Sequence, residues 1–417
     1  MEQQGQPQPI SPNPLPELPK TKKNIISWVY MGIVVLLAAA AFGVIWWFAQ
    51  ATNEQAALIE KNQPQYSAPA KSKEAPKLAS EQVLTNLDHV WEITFLPTKE
   101  MLFTQRKGTL SMLKDGNIKL IANVEDVHAE GEGGMLGMTL DPGFTANRQI
   151  YLCFNSSKEG RDVRIVRWRL NDDLSGLDQR KDIVTGITAN SAGRHSGCRL
   201  AFGLDGFLWI ATGDAATGDN SILPKDLAGK VLRVDREGQA ALDNGLGADY
   251  DARIYSYGHR NLQGLAFYKS PVNGVLGVTV EHGSSVDDEV NLLQRGNFGW
   301  APAKGYNESG VPMTDKVRFP DAIEAIWSSG NPTQAPSGAT FVKGRQWKAW
   351  DGALVVAMLK TEQLKILTIE NNKVAKEEKA FEGTFGRIRT AVQGPDGNLY
   401  IGTDNGGNDQ IVRIIPN

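Results

Sequence analysis

WEITFLP (91–97), MLGMTLDP (135–142), CRLAFGLDG (198–206), LQGLAFYK (262–269), PSGATFVKG (336–344) and RTAVQGPDG (389–397) are six versions of one pattern. Each places a small residue among alternating apolar residues, then a turn, then a second run that reads as a strand. Aligned on Phe95, Leu140, Phe202, Phe267, Phe341 and Val392, they are spaced by 45, 62, 65, 74 and 51 residues. A recurrence of this length, built from strand-sized units, predicts an all-β, six-bladed β-propeller. The segments between them agree. QIYLCFN, VRIVRWRL, FLWIATG, GALVVAML, LKILTI, NLYIGT and QIVRII alternate or are β-branched. A pair of β-sandwiches would leave six matching repeats unexplained.

Composition supports a folded chain with a large core: 41% of the 417 residues are hydrophobic and 22% charged. The net charge of −3 carries no nucleic-acid footprint. Cys153 and Cys198 are too few for a disulfide framework and are expected as two small buried residues.

One segment stands apart. Ile25 to Phe48 is a run of 24 residues without a charge. As a helix it would reach about 36 Å, against a bilayer core of about 30 Å. Ala49-Gln50-Ala51 imitates a signal-peptide cleavage site, but signal-peptide apolar regions span only about 7–15 residues. A single N-terminal transmembrane helix over 25–48 is therefore expected. Lys20, Lys22 and Lys23 precede the run, and no Lys or Arg follows before Lys61. The positive-inside rule leaves the N-terminus in the cytoplasm. In a Gram-negative cell this makes a single-pass inner-membrane protein with a periplasmic domain. Residues 1–24 read as a disordered cytoplasmic tail, 49–80 as a flexible linker and 81–417 as the propeller.

In a blade, the innermost strand lines the channel and the second runs back beside it. The start of the first and the end of the second therefore share one face. Glu132, His195, Arg260 with Asn261, Gln334, and Arg387 with Arg389 precede or open first strands. Asp214, His282-Gly283, Lys360 and Asp404 end second strands. Two cations about 8 Å apart repel by roughly 2 kcal/mol at an effective dielectric near 20. Arg260, Lys360, Arg387 and Arg389 gathered at one channel mouth would be relieved by a ligand carrying several carboxylates. The alternative is that they point outward or pair with Asp214, Glu132 or Asp404.

His195 and Asp214 bracket one hairpin, RHSGCRLAFGLDGFLWIATGD, and should meet at its open end. A carboxylate beside an imidazole fixes its tautomer, as a general base requires. His89, His128, His259 and His282 have no such partner in the pattern. No Cys/His spacing of a zinc site occurs. EHGSSVDDEVNLLQRGNFGW (281–300) offers carbonyls and carboxylates to a hard cation, or is a solvated acidic turn.

Taken in order, EGEGGMLGMTLDPGF, RHSGCRLAFGLDGFLWIATGD, DLAGKVLRVD, IYSYGHRNLQGLAF, DDEVNLLQRGNFGW, APSGATF and GRIRTAVQGPDGNLYIGTDN resemble the soluble, pyrroloquinoline-quinone (PQQ)-dependent aldose sugar dehydrogenases over about residues 85–416. The resemblance implies a six-bladed propeller with PQQ and calcium at the channel mouth. It implies His195 as the base, Asp214 as its orienting partner, and Arg260 as both a catalytic and a cofactor-binding residue. Asn261, Lys360, Arg387, Arg389 and Glu132 are implied on the cofactor, and the carbonyls of Gly283 and Ser284 on its calcium. Glu289 and the Phe298 carbonyl match a second, structural calcium position. An aldose would be oxidised at its anomeric carbon to a lactone. The electrons would leave to an unidentified acceptor, a membrane quinone or a cytochrome. Cys198 stands where the family usually has Gly, Leu262 where it has Pro, and Ser284 replaces the Pro of the calcium turn. Two rivals remain open: a calcium-dependent lactonase on a similar propeller, and a non-catalytic propeller that binds carbohydrate or protein.

Overall fold

Second strands such as Leu208–Thr212 and Leu354–Met358 are buried along their whole length. Both faces of such a strand are covered by neighbouring blades, which is why its sequence is continuously apolar. Outer strands such as Lys373–Ala380 (KVAKEEKA) face solvent and carry the charge. Inner and second strands meet in tight turns. Asp205-Gly206 and Asp396-Gly397 place glycine at φ +79° and +81°, where a Cβ is disfavoured. The aspartate oxygens accept the amides of Phe207 and Asn398 at 3.1 Å.

The computed structural model describes residues 74–270, 274–303 and 306–417. They form six antiparallel blades, as the repeats predict. Five contain four strands, and the third gains a short fifth strand. The inner strands contact one another in sequence around the ring, and the last contacts the first. Six hydrophobic clusters hold the blades together, one at each interface. The ring closes through the sixth blade. Its outer strand is Leu78–Leu87, paired antiparallel with Asp409–Pro416, so the beginning of the domain completes its end. This strand starts three residues before the expected boundary at 81. The apolar run 25–48 lies outside the described residues. Among the described residues no helix is long and apolar enough to cross a membrane.

Two features depart from expectation. Cys153 and Cys198 are both fully buried, but they form a disulfide rather than standing separately. It joins the second strand of blade 2 to the inner strand of blade 3, which face each other across a blade interface. The second departure is in blade 4. After its third strand, Glu289–Leu292, the chain adds the short strand Gly296–Asn297 in parallel to the edge of blade 3. It returns for its outer strand only at Trp327–Ser328. The excursion over 293–326 brings blade 4 residues to the chemistry of blade 3.

Candidate active site

His195 lies two residues before the inner strand of blade 3, and Asp214 two residues after the second strand. Backbone bonds fix both. The Asp214 amide donates to the Arg260 carbonyl (2.7 Å) and the Ala215 amide to that of His195 (3.2 Å). Gly213 is required here, because a Cβ on it would meet the His195 carbonyl oxygen at 2.0 Å. The expected pair is formed: His195 Nδ1 lies 2.8 Å from Asp214 Oδ1, with the two residues 3% and 0% exposed. A carboxylate partner favours the proton on Nδ1. Nε2 makes no hydrogen bond with any described residue, which leaves its lone pair available.

Around this pair runs a buried polar belt linking four blades. Glu132 Oε2 accepts from the His195 amide (3.2 Å) and from Asn261 Nδ2 (3.1 Å). Asn261 Oδ1 accepts from Gln263 Nε2 (3.1 Å), and Gln263 Oε1 accepts from Arg389 Nη1 (3.0 Å). Arg389 also donates to Asp404 through Nε (2.9 Å) and Nη2. Burial opposes ionisation of Asp404, but the charge and hydrogen bonds of Arg389 outweigh it and hold the carboxyl below its usual range.

The four expected cations divide into two kinds. Arg389 is paired with Asp404. Arg260 is paired with Glu308, through Nη2 at 2.9 and 3.1 Å. Lys360 and Arg387 are exposed and have no carboxylate partner among the described residues. Among the described residues, Lys360 Nζ bonds only the Thr333 hydroxyl (3.2 Å), and Arg387 Nε donates to the Asp404 carbonyl (3.2 Å). Arg106 belongs with them. Its guanidinium lies within electrostatic reach of Asp404, Arg389 and Arg387, and burial holds its pKa below the usual value. Three buried polar atoms beside these groups have no partner among the described residues: Arg260 Nε, His282 Nε2 and Gln334 Oε1. Burial and the charges of Arg260 and Arg389 push the His282 imidazole well down, so it is neutral. Unfilled donors and acceptors under a cationic rim fit an anionic, polyfunctional group.

Glu289 is the register partner of Glu281, two residues before Gly283. Gly283 is buried, and its amide donates to Asp288 Oδ1 (2.9 Å). The carbonyls of Gly283, Ser284 and Phe298 accept no hydrogen bond from a described residue. Glu289 is 5% exposed and shares the amide of Asn291 with Glu281, at 3.2 and 2.9 Å. Burial first, and then the Glu281 charge, push Glu289 up to about 8. Asn291 Oδ1 is buried without a donor. Free carbonyls and an under-compensated carboxylate are oxygen donors of the type a hard cation takes.

Lys230 lies behind Asp214, fully buried, with Nζ donating to the carbonyls of Asn220 (2.6 Å) and Ala228 (2.8 Å). Burial lowers it from 10.5 to about 7, against the charges of Asp226 and Asp214. Between those two pH values the unfolded chain binds a proton that the folded chain does not. This group therefore makes stability rise with pH across that window. Lys230→Met is expected to abolish the rise, measured as the difference in urea-unfolding free energy between pH 7 and pH 10.

Several residues escaped the sequence pattern. Trp300, Tyr306 and Glu308 all arrive on the blade 4 excursion. Trp300 Nε1 donates to Asp214 Oδ2 (2.8 Å), and its ring lies 5.6 Å from the Arg260 guanidinium carbon. The one sequence signal for the excursion was the spacing between the fourth and fifth repeats, the longest of the five at 74 residues. The unpaired histidines also need correction. His259 Nδ1 meets Glu281 Oε1 at 3.0 Å, His128 Nε2 meets Glu130 Oε2 at 3.0 Å, and His89 pairs with Asp88. These partners lie on neighbouring strands or turns, outside the repeat register. Among the described residues, only His195 combines a buried carboxylate with a free Nε2 at the cationic mouth.

The buried His195–Asp214 pair thus sits among charged groups, with His195, Arg260 and Arg389 all within electrostatic reach of His282. The chain belongs to the glucose/sorbosone dehydrogenase family, which it matches over residues 87–413. It is 32% identical over 353 residues to the aldose sugar dehydrogenase YliI of Escherichia coli (strain K12), covering 82% of this chain and 94% of that one. It is 26% identical over 435 residues to quinoprotein glucose dehydrogenase B of Acinetobacter calcoaceticus, covering 83% and 89%. The solved PQQ-bound aldose sugar dehydrogenase of Streptomyces coelicolor superposes with a TM-score of 0.68 at 28% identity, covering 82% of this chain and 99% of that structure.

Proposed function

We propose that this protein is a PQQ-dependent aldose sugar dehydrogenase that oxidises aldoses at the anomeric carbon to lactones. The observation that carries this is the free Nε2 of the His195–Asp214 pair beside the unfilled Arg260 Nε, His282 Nε2 and Gln334 Oε1. Arg387, Lys360 and Arg106 would hold the carboxylates of the cofactor, with Asn261 and Glu132 beside them. When bound, PQQ supplies the acceptor for the anomeric hydride. His195 Nε2 takes the proton of the anomeric hydroxyl. The Asp214 carboxylate balances the imidazolium that forms. Arg260 presents a buried N–H where negative charge grows, in a setting from which water is excluded. The carbonyls of Gly283 and Ser284 would hold a calcium ion at the cofactor, and Glu289 with the Phe298 carbonyl a structural one.

The decisive test adds PQQ with calcium to the purified protein and follows cofactor absorbance and dye-linked sugar oxidation. Saturable binding and sugar-dependent dye reduction are expected. An absence of binding with calcium present would overturn the assignment.

The domain is further proposed to be held at the inner membrane by the apolar run 25–48 and to face the periplasm. The Cys153–Cys198 disulfide supports an oxidising compartment. Native protein is expected in the membrane fraction with residues 1–51 intact. Soluble protein with a mature N-terminus near Thr52 would refute the anchor.

A further inference from the structure

The Asp214 carboxylate accepts from four donors. His195 Nδ1 and the Ala216 amide bond Oδ1, each at 2.8 Å. Trp300 Nε1 (2.8 Å) and Tyr306 Oη (2.9 Å) bond Oδ2. The first two belong to blade 3, and the last two come from the blade 4 excursion. Tyr306 differs from the other three donors, because its oxygen also lies 2.8 Å from His195 Nδ1. Its ring meets the imidazole edge-on, with centroids 5.6 Å apart at 67°.

A hydroxyl has one proton to donate. With the carboxylate oxygen at 2.9 Å, that proton goes to Asp214 Oδ2. The phenol then turns a lone pair toward Nδ1, which must carry hydrogen to meet it. The opposite tautomer would put a bare Nδ1 against both the phenol oxygen and Asp214 Oδ1. It would then have to take the phenol proton away from the carboxylate. The triangle of Tyr306, Asp214 and His195 is thus compatible with Nδ1–H and opposes the alternative. Burial and the Asp214 charge push the phenol upward, so it remains a donor.

We propose that Tyr306 is a positioning residue for the base: it locks His195 in the Nδ1–H tautomer and so keeps the lone pair on Nε2. This rests on His195 being the base of the proposed reaction, and the test separates the two ideas. The full chain is labelled with 15N-histidine, and the ring nitrogens are read from long-range proton–nitrogen spectra. His195→Gln assigns the signals. Wild-type protein is expected to show one tautomer, with Nδ1 protonated and Nε2 bare. Tyr306→Phe keeps the ring contact and leaves Trp300 on Asp214 Oδ2. It is expected to shift the His195 nitrogen signals toward a tautomer mixture. In the PQQ-loaded protein it should lower kcat about tenfold, the scale of one hydrogen bond, with KM and cofactor affinity within about twofold. A Tyr306→Phe protein whose His195 signals match the wild type overturns the proposal, whatever its rate. If neither protein oxidises sugar, the tautomer comparison still decides the role of Tyr306, and the proposed reaction falls instead.

Discussion

His195→Ala is expected to lower the rate of sugar oxidation by about 10²–10⁴-fold, the usual contribution of a positioned general base. The fold should survive. Asp214 loses one donor but keeps the Ala216 amide, Trp300 and Tyr306, so no bare carboxylate is left buried. Cofactor affinity should hardly change, because proton removal stabilises the transition state and not the ground-state complex. Rapid mixing of the cofactor-loaded variant with sugar, following cofactor reduction in a single turnover, isolates the step. Reduction at the wild-type rate would remove His195 from the role of base. Glu132, 3.2 Å from the His195 amide, would be tested next.

The second large effect separates two arginines that are one residue apart. Arg389 is 6% exposed and paired with Asp404, itself 6% exposed. Arg389→Ala removes the hydrogen bonds to that carboxylate, leaving His89 Nε2 at 3.8 Å, and leaves Gln263 Oε1 without its donor. Breaking a buried pair from one side costs about 3–5 kcal/mol, so a large fall in the urea midpoint is expected. Arg387 is exposed, and among the described residues its side chain holds only the Asp404 carbonyl. Arg387→Ala should change stability by less than about 0.5 kcal/mol, yet weaken PQQ binding by about 1.5–3 kcal/mol, the worth of a charge-assisted hydrogen bond. Equal stability losses in the two variants would contradict this division. So would undiminished PQQ affinity in Arg387→Ala.

The sequence exposed the parts of this molecule that obey a period. Six inner strands repeat, so the blades were legible, and His195 and Asp214 met because a single hairpin carries both. Tyr306, Glu308 and Trp300 were hidden because the excursion that delivers them has no periodicity, and its destination is a neighbouring blade. The Cys153–Cys198 bond was hidden for a related reason: it crosses an interface between sheets, and only packing determines which residues face each other there. Charge alone made Arg387 and Arg389 look equivalent. Burial separates them, because Arg389 lies within an inner strand and Arg387 just before it.

The seam in the sixth blade has a consequence for how the molecule is made. Leu78 pairs with Pro416, so this contact spans nearly the whole domain in sequence. Closing so long a loop costs entropy that only the finished pairing repays. Five blades can pack as their residues become available, while the sixth must wait for both ends. Until then the chain is an open arc, with the unpaired backbone of Asp409–Pro416 exposed as a free strand edge. Such an edge accepts the matching strand of any chain nearby. At high concentration during refolding, two open arcs can therefore exchange their 78–87 strands, and exchanged dimers would compete with ring closure. Dilution favours the intramolecular partner, so the yield of monomeric rings should rise as refolding concentration falls.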